Sequence, residues 1–376
     1  MRMDSDESYM RRALSLARRG ACRVTPNPMV GAVIVRGGRI IGEGYHRCCG
    51  EEHAEINALR KASEFVEGST VYVTLEPCSH HGRTPPCAEA LIDKRPARVV
   101  IGTPDPNPLV AGAGIAALEK AGIRTTVGVL ESQCRVLNER FFKYMETGRP
   151  FITLKFAQTM DGRIATCTGH SRWISSPPAL TLAHRLRSTH DAILVGIGTV
   201  LKDDPELTVR RVKGRNPLRV VVDAGLRIPL GAKLLRNQEE ARTVLAVTAR
   251  APQKKIQQVL RSGIDILHVP EDVQSRVDLA ELFLLLGRKG ITSVLVEGGA
   301  GVITSVLQER LADRIVVVVA PKILGNGIEA VGDLNIRNME EAIGLTWRKV
   351  FRRGEDMIFD GVLRDPKASA VDAGAT

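Results

Sequence analysis

His53-Ala54-Glu55 and, further on, Glu76-Pro77-Cys78-Ser79-His80-His81-Gly82-Arg83-Thr84-Pro85-Pro86-Cys87 are the stretches that decide the reading of the first half of this chain. One imidazole and two thiols are three ligands of a tetrahedral zinc whose fourth position stays open to water. Two thiolates and a neutral imidazole cancel the charge of Zn²⁺, and the metal lowers the pKa of bound water to about 7. Glu55 stands two residues after His53. A carboxylate beside the open position, not bound to the metal, suits proton transfer from water to a leaving group. On a helix, residues i and i+2 point roughly 200° apart, given about 3.6 residues per turn. His53 and Glu55 therefore converge on one ion only at a helix start. Ile56, Leu59 and Ala62 supply the apolar stripe of that helix. Cys87 likewise precedes a helical run over 88–92, and a helix N-terminus favours a thiolate.

A structural zinc site usually takes four protein ligands, and Cys48 or Cys49 could supply one. The combination of H-A-E, a strand over 70–75 and then E-P-C weighs against that reading. Zinc nucleobase deaminases carry H-x-E…P-C-x-x-C. This chain matches the first half and Pro-Cys, but puts eight residues between the two cysteines.

The long element E-P-C-S-H-H-G-R-T-P-P-C resembles the N-terminal half of the bifunctional riboflavin-biosynthesis deaminase–reductases. So do Thr25-Pro26-Asn27-Pro28-Met29-Val30-Gly31 and Asp105-Pro106-Asn107-Pro108 with Val110-Ala111-Gly112. The second half resembles that family's reductase domain in K-F-A-Q-T-M-D-G-R over 155–163, Trp173-Ile174, Asp203-Asp204-Pro205-Glu206-Leu207-Thr208 and Val296-Glu297-Gly298-Gly299. The resemblance runs from about residue 7 to about 364. It implies an α/β chain: an N-terminal cytidine-deaminase-like zinc domain and a C-terminal dihydrofolate-reductase-like domain. It implies one Zn²⁺ per chain, NADPH and a homo-oligomer. The activity it implies is hydrolytic deamination of a diaminopyrimidinone ribosylamine 5′-phosphate at its 2-amino group, then reduction of the ribosyl group to ribityl.

Carried onto matching positions, the resemblance makes His53, Cys78 and Cys87 the ligands and Glu55 the proton carrier. Asn27, His46, His80, Arg83, Asp105 and Asn107 become substrate contacts of the deaminase. In the reductase, the cofactor contacts become Ala157, Trp173, Thr199, Asp203, Ala224 and the run Gly299, Ala300, Gly301, Val302, Ile303, Thr304 and Ser305. Its substrate contacts become Ser171, Arg187, Leu207, Arg210 and Glu297. Arg187 and Arg210 suit phosphate, which a guanidinium grips bidentately. Gly298-Gly299-Ala300-Gly301 follows a predicted strand and opens a predicted helix, where backbone N–H groups bind phosphate. A tight turn needing glycine would look the same. Lys155 stands at the end of the predicted first strand of this half, as a group to help polarise the sugar, and Asp161 is as much a turn former as a catalytic group.

At 376 residues two domains are expected. No apolar run approaches the roughly 20 residues that span a bilayer, and the charged N-terminus lacks a secretory h-region. Seven unevenly spaced cysteines suit a reducing, cytoplasmic setting. The net charge is +11, with 20 Lys+Arg against 17 Asp+Glu in residues 1–147 and 33 against 25 in the rest. An excess this diffuse, with 4% aromatic residues, offers no base-stacking platform for nucleic acid. It suits phosphorylated small molecules. A nucleic-acid or tRNA base deaminase with a basic accessory domain is the alternative, and a non-enzymatic zinc scaffold a second one.

Strands alternating with helices argue α/β domains. The spacing predicts a helix over 8–20, a hairpin over 32–43, a strand over 125–129 and one long amphipathic helix over 131–146. Gly148 then Pro150 stops that helix and places the boundary between a deaminase domain, 1–147, and a reductase domain, 148–365. Strands are predicted at 151–156, 192–196, 219–223, 243–247, 265–269, 293–296 and 314–319, and a terminal hairpin at 346–363. Residues 366–376 read as a disordered tail.

Overall fold

Alternate residues of a strand point to opposite faces of its sheet, and the first sheet of this protein is apolar on both. The computed structural model describes residues 5–79, 86–108 and 110–364, and the chain divides into two units, Met1–Gly148 and Arg149–Thr376. In the first unit the elements run α1 (Asp6–Ala17), β1 (Gly31–Arg36), β2 (Arg39–Tyr45), α2 (Ala54–Arg60), β3 (Thr70–Val73), α3 (Cys87–Lys94), β4 (Arg98–Ile101), α4 (Ala113–Lys120), β5 (Arg124–Val127), α5 (Glu131–Leu137) and α6 (Glu139–Thr147). The sheet order is β2-β1-β3-β4-β5. β1 is antiparallel to β2 and β3, and β3, β4 and β5 are parallel.

Ala32 and Ile34 of β1, Val71 and Val73 of β3, and Val99 and Ile101 of β4 share one core with Ala58 of α2, Leu91 of α3 and Leu118 of α4. The intervening Val33, Val35, Tyr72 and Val100 pack against Met10, Ala13 and Leu14 of α1. Met10 and Leu14 are fully buried, each worth about 1.5–3 kcal/mol. Helices thus cover both faces, and α2 and α3 start side by side on the same one.

The helix expected over 131–146 is two helices, broken at Asn138 (φ −111°, ψ 24°). Asn138 Oδ1 accepts from the Met29 N–H at 2.8 Å and its Nδ2 donates to the Met29 carbonyl at 2.9 Å. That contact, across 109 residues, holds the buried side chain and outweighs the helical period. The first helix is also shorter than expected, its last turn being a 3₁₀ turn over Arg18–Gly20.

The second unit runs β6 (Phe151–Thr159), β7 (Arg163–Thr166), α7 (Pro177–Thr189), β8 (Ala192–Gly196), α8 (Ile197–Asp203), β9 (Leu218–Val222), β10 (Thr243–Val247), α9 (Gln253–Arg261), β11 (Asp265–His268), α10 (Leu279–Arg288), β12 (Ser293–Val296), α11 (Ala300–Gln308), β13 (Arg314–Ala320), β14 (Gly327–Glu329), β15 (Leu345–Arg353) and β16 (Asp356–Leu363). Nine strands form a sheet in the order β11-β10-β9-β8-β12-β6-β13-β16-β15, and β7 pairs with β14. From β11 to β13 the neighbours are parallel; β16 and β15 close the edge antiparallel. Ile193, Val195, Val221 and Leu295 face α7, α8 and α9. Their alternates, Ala192, Leu194, Val220, Val294 and Val296, face α10 and α11. This is a doubly covered parallel sheet, and such sheets take ligands beyond the carboxyl ends of their strands.

Candidate functional site

His53 is the N-cap residue of α2, in extended conformation (φ −71°, ψ 167°). Cys87 is the first residue of α3, and Cys78 lies in the loop after β3. The Cys78 and Cys87 sulfurs stand 3.5 and 3.3 Å from His53 Nδ1, and the three ligand atoms lie within 4.8 Å of one another. A tetrahedral ion with Zn–S of about 2.3 Å and Zn–N of about 2.0–2.1 Å has N···S edges of about 3.5 Å. The donor set and its spacing therefore fit a zinc ion. The Cys87 N–H donates to Cys78 Sγ at 3.3 Å, so the start of α3 offers its dipole to that sulfur.

Hydrogen bonding from the Cys87 thiol brings the Cys78 thiol down to about 4, and the same contact and burial push Cys87 up. The pair shares protons until a cation takes both thiolates. The hydrogen bond to Cys78 raises the His53 imidazole. Glu55, in the first turn of α2, is buried, and burial pushes its carboxyl up to about 7. A divalent cation nearby opposes that rise. The carboxyl is thus poised to hold or release a proton near neutral pH.

His46 packs edge-on against His53 with ring centroids 5.4 Å apart. Its Nδ1 lies 3.1 Å from the Glu52 carbonyl and its Nε2 3.2 Å from Asn27 Nδ2. Burial lowers its pKa, so the ring is neutral and donates to the carbonyl while accepting from the amide. Asn27 and His46 thus stand together beside the metal ligands. His80 and Arg83 lie outside the described residues. Asp105 and Asn107 share one loop, in which Asp105 Oδ1 accepts the Asn107 N–H at 2.9 Å.

Glu76 is a group the sequence reading passed over. Its buried carboxylate accepts four backbone N–H groups, from Asp105 (3.1 Å), Gly112 (3.1 Å), Gly114 (2.9 Å) and Ile115 (3.2 Å). A Cβ on Gly114 would stand 2.0 Å from the Pro77 carbonyl oxygen. Glu76 therefore straps the Asp105 loop against the segment that delivers Cys78. The only sequence signal was the position of an acid directly before Pro-Cys.

In the second unit a cleft of about 900 Å³ runs along the carboxyl ends of the parallel strands. Of the expected cofactor contacts, Ala157, Thr199, Asp203, Ala224, Gly299, Ala300, Gly301, Val302 and Ser305 line it, as do Ser171 and Glu297 of the expected substrate contacts. Ile303 instead points into the core. Thr304 Oγ1 donates to the Ala300 carbonyl and accepts from the Gly332 N–H. Trp173 is 65% exposed and stands outside the cleft wall, with its carbonyl held by Lys322 Nζ. Leu207 is buried in the core. Arg210 pairs with Glu206.

Arg187 is engaged with Glu297, Nη2 to Oε2 at 2.6 Å and Nε to Oε2 at 3.2 Å. Burial alone would raise Glu297, but Arg187 and Lys155 outweigh it and hold the carboxyl low. Burial lowers the Lys155 ammonium, partly offset by Glu297. Asp161 accepts from the backbone of Leu324 and Gly325 and from the Thr159 hydroxyl, which is a turn former's work.

The glycine run divides its labour. A Cβ on Gly298 would meet Val302 Cβ at 2.7 Å, so that position needs glycine for packing. A Cβ on Gly299 would meet only Thr199 Oγ1 at 3.6 Å, and one on Gly301 nothing. Those two leave space at the start of α11 for a ligand, and the exposed N–H groups there suit a pyrophosphate.

The two folds and their sites define a zinc deaminase joined in one chain to a nucleotide-dependent reductase. Residues 3–103 match the cytidine and deoxycytidylate deaminase zinc-binding region, and residues 150–359 match the RibD C-terminal domain. The chain is 46% identical over 354 residues to riboflavin biosynthesis protein RibD of Aquifex aeolicus, covering 94% of this chain and 97% of that one. To the Escherichia coli RibD it is 41% identical, covering 94% and 98%. A solved Acinetobacter baumannii RibD superposes with a TM-score of 0.86 at 37% identity, over 96% of this chain and 99% of that one. The Thermotoga maritima structure described as a diaminohydroxyphosphoribosylaminopyrimidine deaminase/5-amino-6-(5-phosphoribosylamino)uracil reductase gives 0.83 at 36%, over 96% and 99%. This chain belongs to the RibD family of riboflavin biosynthesis.

Proposed function

We propose that residues 1–147 deaminate the diaminopyrimidinone ribosylamine 5′-phosphate of riboflavin biosynthesis, and that residues 148–365 reduce the ribosyl group of the deaminated product to ribityl with NADPH. The observation that carries the first half is the buried Glu55 beside three ligand atoms at tetrahedral spacing. Zinc, held by His53, Cys78 and Cys87, lowers the pKa of water and supplies the nucleophile when bound. Glu55 takes the proton of that water and delivers it to the 2-amino group, which leaves as ammonia. Asn27, oriented by the neutral His46 ring that packs beside the substrate, hydrogen-bonds the pyrimidine, Asp105 and Asn107 contact the sugar side, and His80 and Arg83 complete the substrate contacts.

NADPH supplies the hydride in the second half. Gly299 and Gly301 admit its pyrophosphate to the start of α11, with Thr199, Asp203, Ala157 and Ala224 along the cleft wall. Lys155, held between Glu297 and the cleft, donates a hydrogen bond to the sugar oxygen that gains the proton. Arg187 keeps Glu297 ionised and so keeps Lys155 oriented. Among the described residues no helix is long and apolar enough to cross a membrane. No disulfide joins any of the seven cysteines, and a reducing cytoplasmic setting is the location proposed. Self-association is expected by resemblance and is read by light scattering.

Product analysis by mass spectrometry tests the whole reading. Without NADPH, the substrate should gain water and lose ammonia, so that NH is replaced by O; with NADPH, it should also gain a hydride and a proton. Unchanged substrate in both arms would overturn it. Binding of tRNA at physiological salt without ammonia release from the pyrimidine would favour the nucleic-acid alternative.

A further inference from the structure

Lys155 and Glu297 mark the reactive end of the reductase cleft. Its opposite end is lined by Arg227, in the turn after β9, and Arg250, in the turn after β10. The strand order β10-β9-β8-β12 puts three spacings between the glycine loop after β12 and the turn after β10, about 14 Å at about 4.8 Å each. The arginine side chains, which line the cleft, close part of that span. A dinucleotide with its pyrophosphate at Gly299 and its nicotinamide at Lys155 would extend its adenosine half along the cleft toward this end. Val277 and Leu279 give that end an apolar wall suited to a base.

The charges there are only partly neutralised from within. Arg276 also lines the cleft, but its Nε is committed to Asp272 at 2.9 Å. Arg250 Nη1 donates to the Ser275 carbonyl at 3.1 Å, and among the described residues no carboxylate pairs with it. Arg227 Nε reaches Asp223 Oδ1 only at 3.7 Å, and that buried oxygen has no hydrogen-bond partner. Two guanidinium forks thus face a ligand cleft without an acid at hydrogen-bond distance. Guanidinium is the group that binds a phosphate monoester bidentately, and an arginine near the adenosine ribose is how dinucleotide sites accept a 2′-phosphate.

We propose that Arg227 and Arg250 grip the 2′-phosphate of the adenosine ribose and so set the preference for NADPH over NADH. This rests on the reading of the cleft as the cofactor site. The other phosphate monoester available is the 5′-phosphate of the substrate, which the experiment separates.

Full-length zinc-loaded protein, as wild type, Arg227→Ala, Arg250→Ala and the double variant, is titrated with NADPH and with NADH by cofactor fluorescence. Gly299→Val is the control for the cleft. The expected result is at least a tenfold rise in the NADPH Kd for each arginine variant, with the NADH Kd moving less than twofold. Equal loss of both cofactors would overturn the proposal, because the arginines would then serve the part the cofactors share. No loss of either would overturn it too, provided Gly299→Val weakens both. If Gly299→Val also changes nothing, the cofactor reading of the cleft has failed and takes the proposal with it. With NADH as donor, a rise in KM for the deaminated substrate and an unchanged NADPH Kd would assign the arginines to the substrate phosphate and overturn the proposal.

Discussion

The two active sites bury charge in the same way and rescue it differently. Burial raises the Glu55 carboxyl and lowers the Lys155 ammonium, each toward its neutral form. Burial lifts Glu55 to about 7, and the neighbouring His53 offsets only part of that rise. Glu297, at the wall of the cleft, has Arg187 at 2.6 Å and Lys155 nearby, and is held low. On the proposed reading, the deaminase centre is a proton-transfer site completed by a metal, whereas the reductase centre is a fixed array that positions a sugar for hydride transfer. One needs a pKa near the working pH; the other needs geometry.

Removing the metal should separate the two most sharply. Wild type should carry about one zinc per chain. Cys87→Ser should lose most of it along with ammonia release, and still oxidise NADPH when given the deaminated intermediate. Elemental analysis beside the two assays decides it. Full zinc and full deamination in Cys87→Ser would shift the ligand role to Cys48 or Cys49.

Glu55→Gln keeps the size and removes the base. Zinc should stay while deamination falls by about 10² to 10⁴, the usual range for general acid–base catalysis. NADPH oxidation on the deaminated intermediate should stay near the parent rate. Loss of both activities in a folded protein would break the two-site reading, and loss of neither would acquit Glu55.

Arg187→Ala strikes the other site. It leaves Glu297 buried without its bidentate partner, a loss of about 3–5 kcal/mol in the reductase unit. Denaturant unfolding should show that unit melting earlier while zinc content and ammonia release persist. A lysine at 187 should recover only part, since it lacks the planar fork. Unchanged unfolding would mean that the ion pair contributes little net stability.

The smallest effect concerns acid. Burial, with Arg187 and Arg210 nearby, lowers the His184 imidazole to about 4, and its Nδ1 accepts the Arg210 N–H at 3.0 Å. The unfolded chain protonates this ring near pH 6.5, before the folded one does. The unfolded state then binds the extra proton, so stability falls as pH drops from about 6.5 to about 4 and is flat above. His184→Gln should flatten that part of the curve in a thermal melt followed against pH. An unchanged slope would remove His184 from the acid response.

Much of this was legible in the residues because the chemistry restricts them. His53, Glu55, Cys78 and Cys87 carry side chains that few other functions need in that order, and the helix starts at His53 and Cys87 followed from spacing. The reductase contacts were less legible. Ile303 and Leu207 fell inside an expected contact set and have side chains in the core: α11 turns Ile303 away from the loop that precedes it, and the non-helical segment after α8 folds Leu207 inward. Arg210 looked free for phosphate and pairs with Glu206.

By itself the sequence determined the alternation of strands and helices, the candidate zinc ligands and the helix stop at Gly148, since each rests on local periodicity, side-chain chemistry or a backbone breaker. Only the tertiary structure decided what depends on residues distant along the chain. Asn138 breaks a periodic helix because Met29 offers it two hydrogen bonds. Glu76 gathers four N–H groups from a loop about thirty to forty residues away. Arg227 and Arg250 become neighbours of one cleft because parallel strands lay their carboxyl ends side by side. A hydrogen bond or a shared wall depends on distance in space, and local pattern carries no record of it.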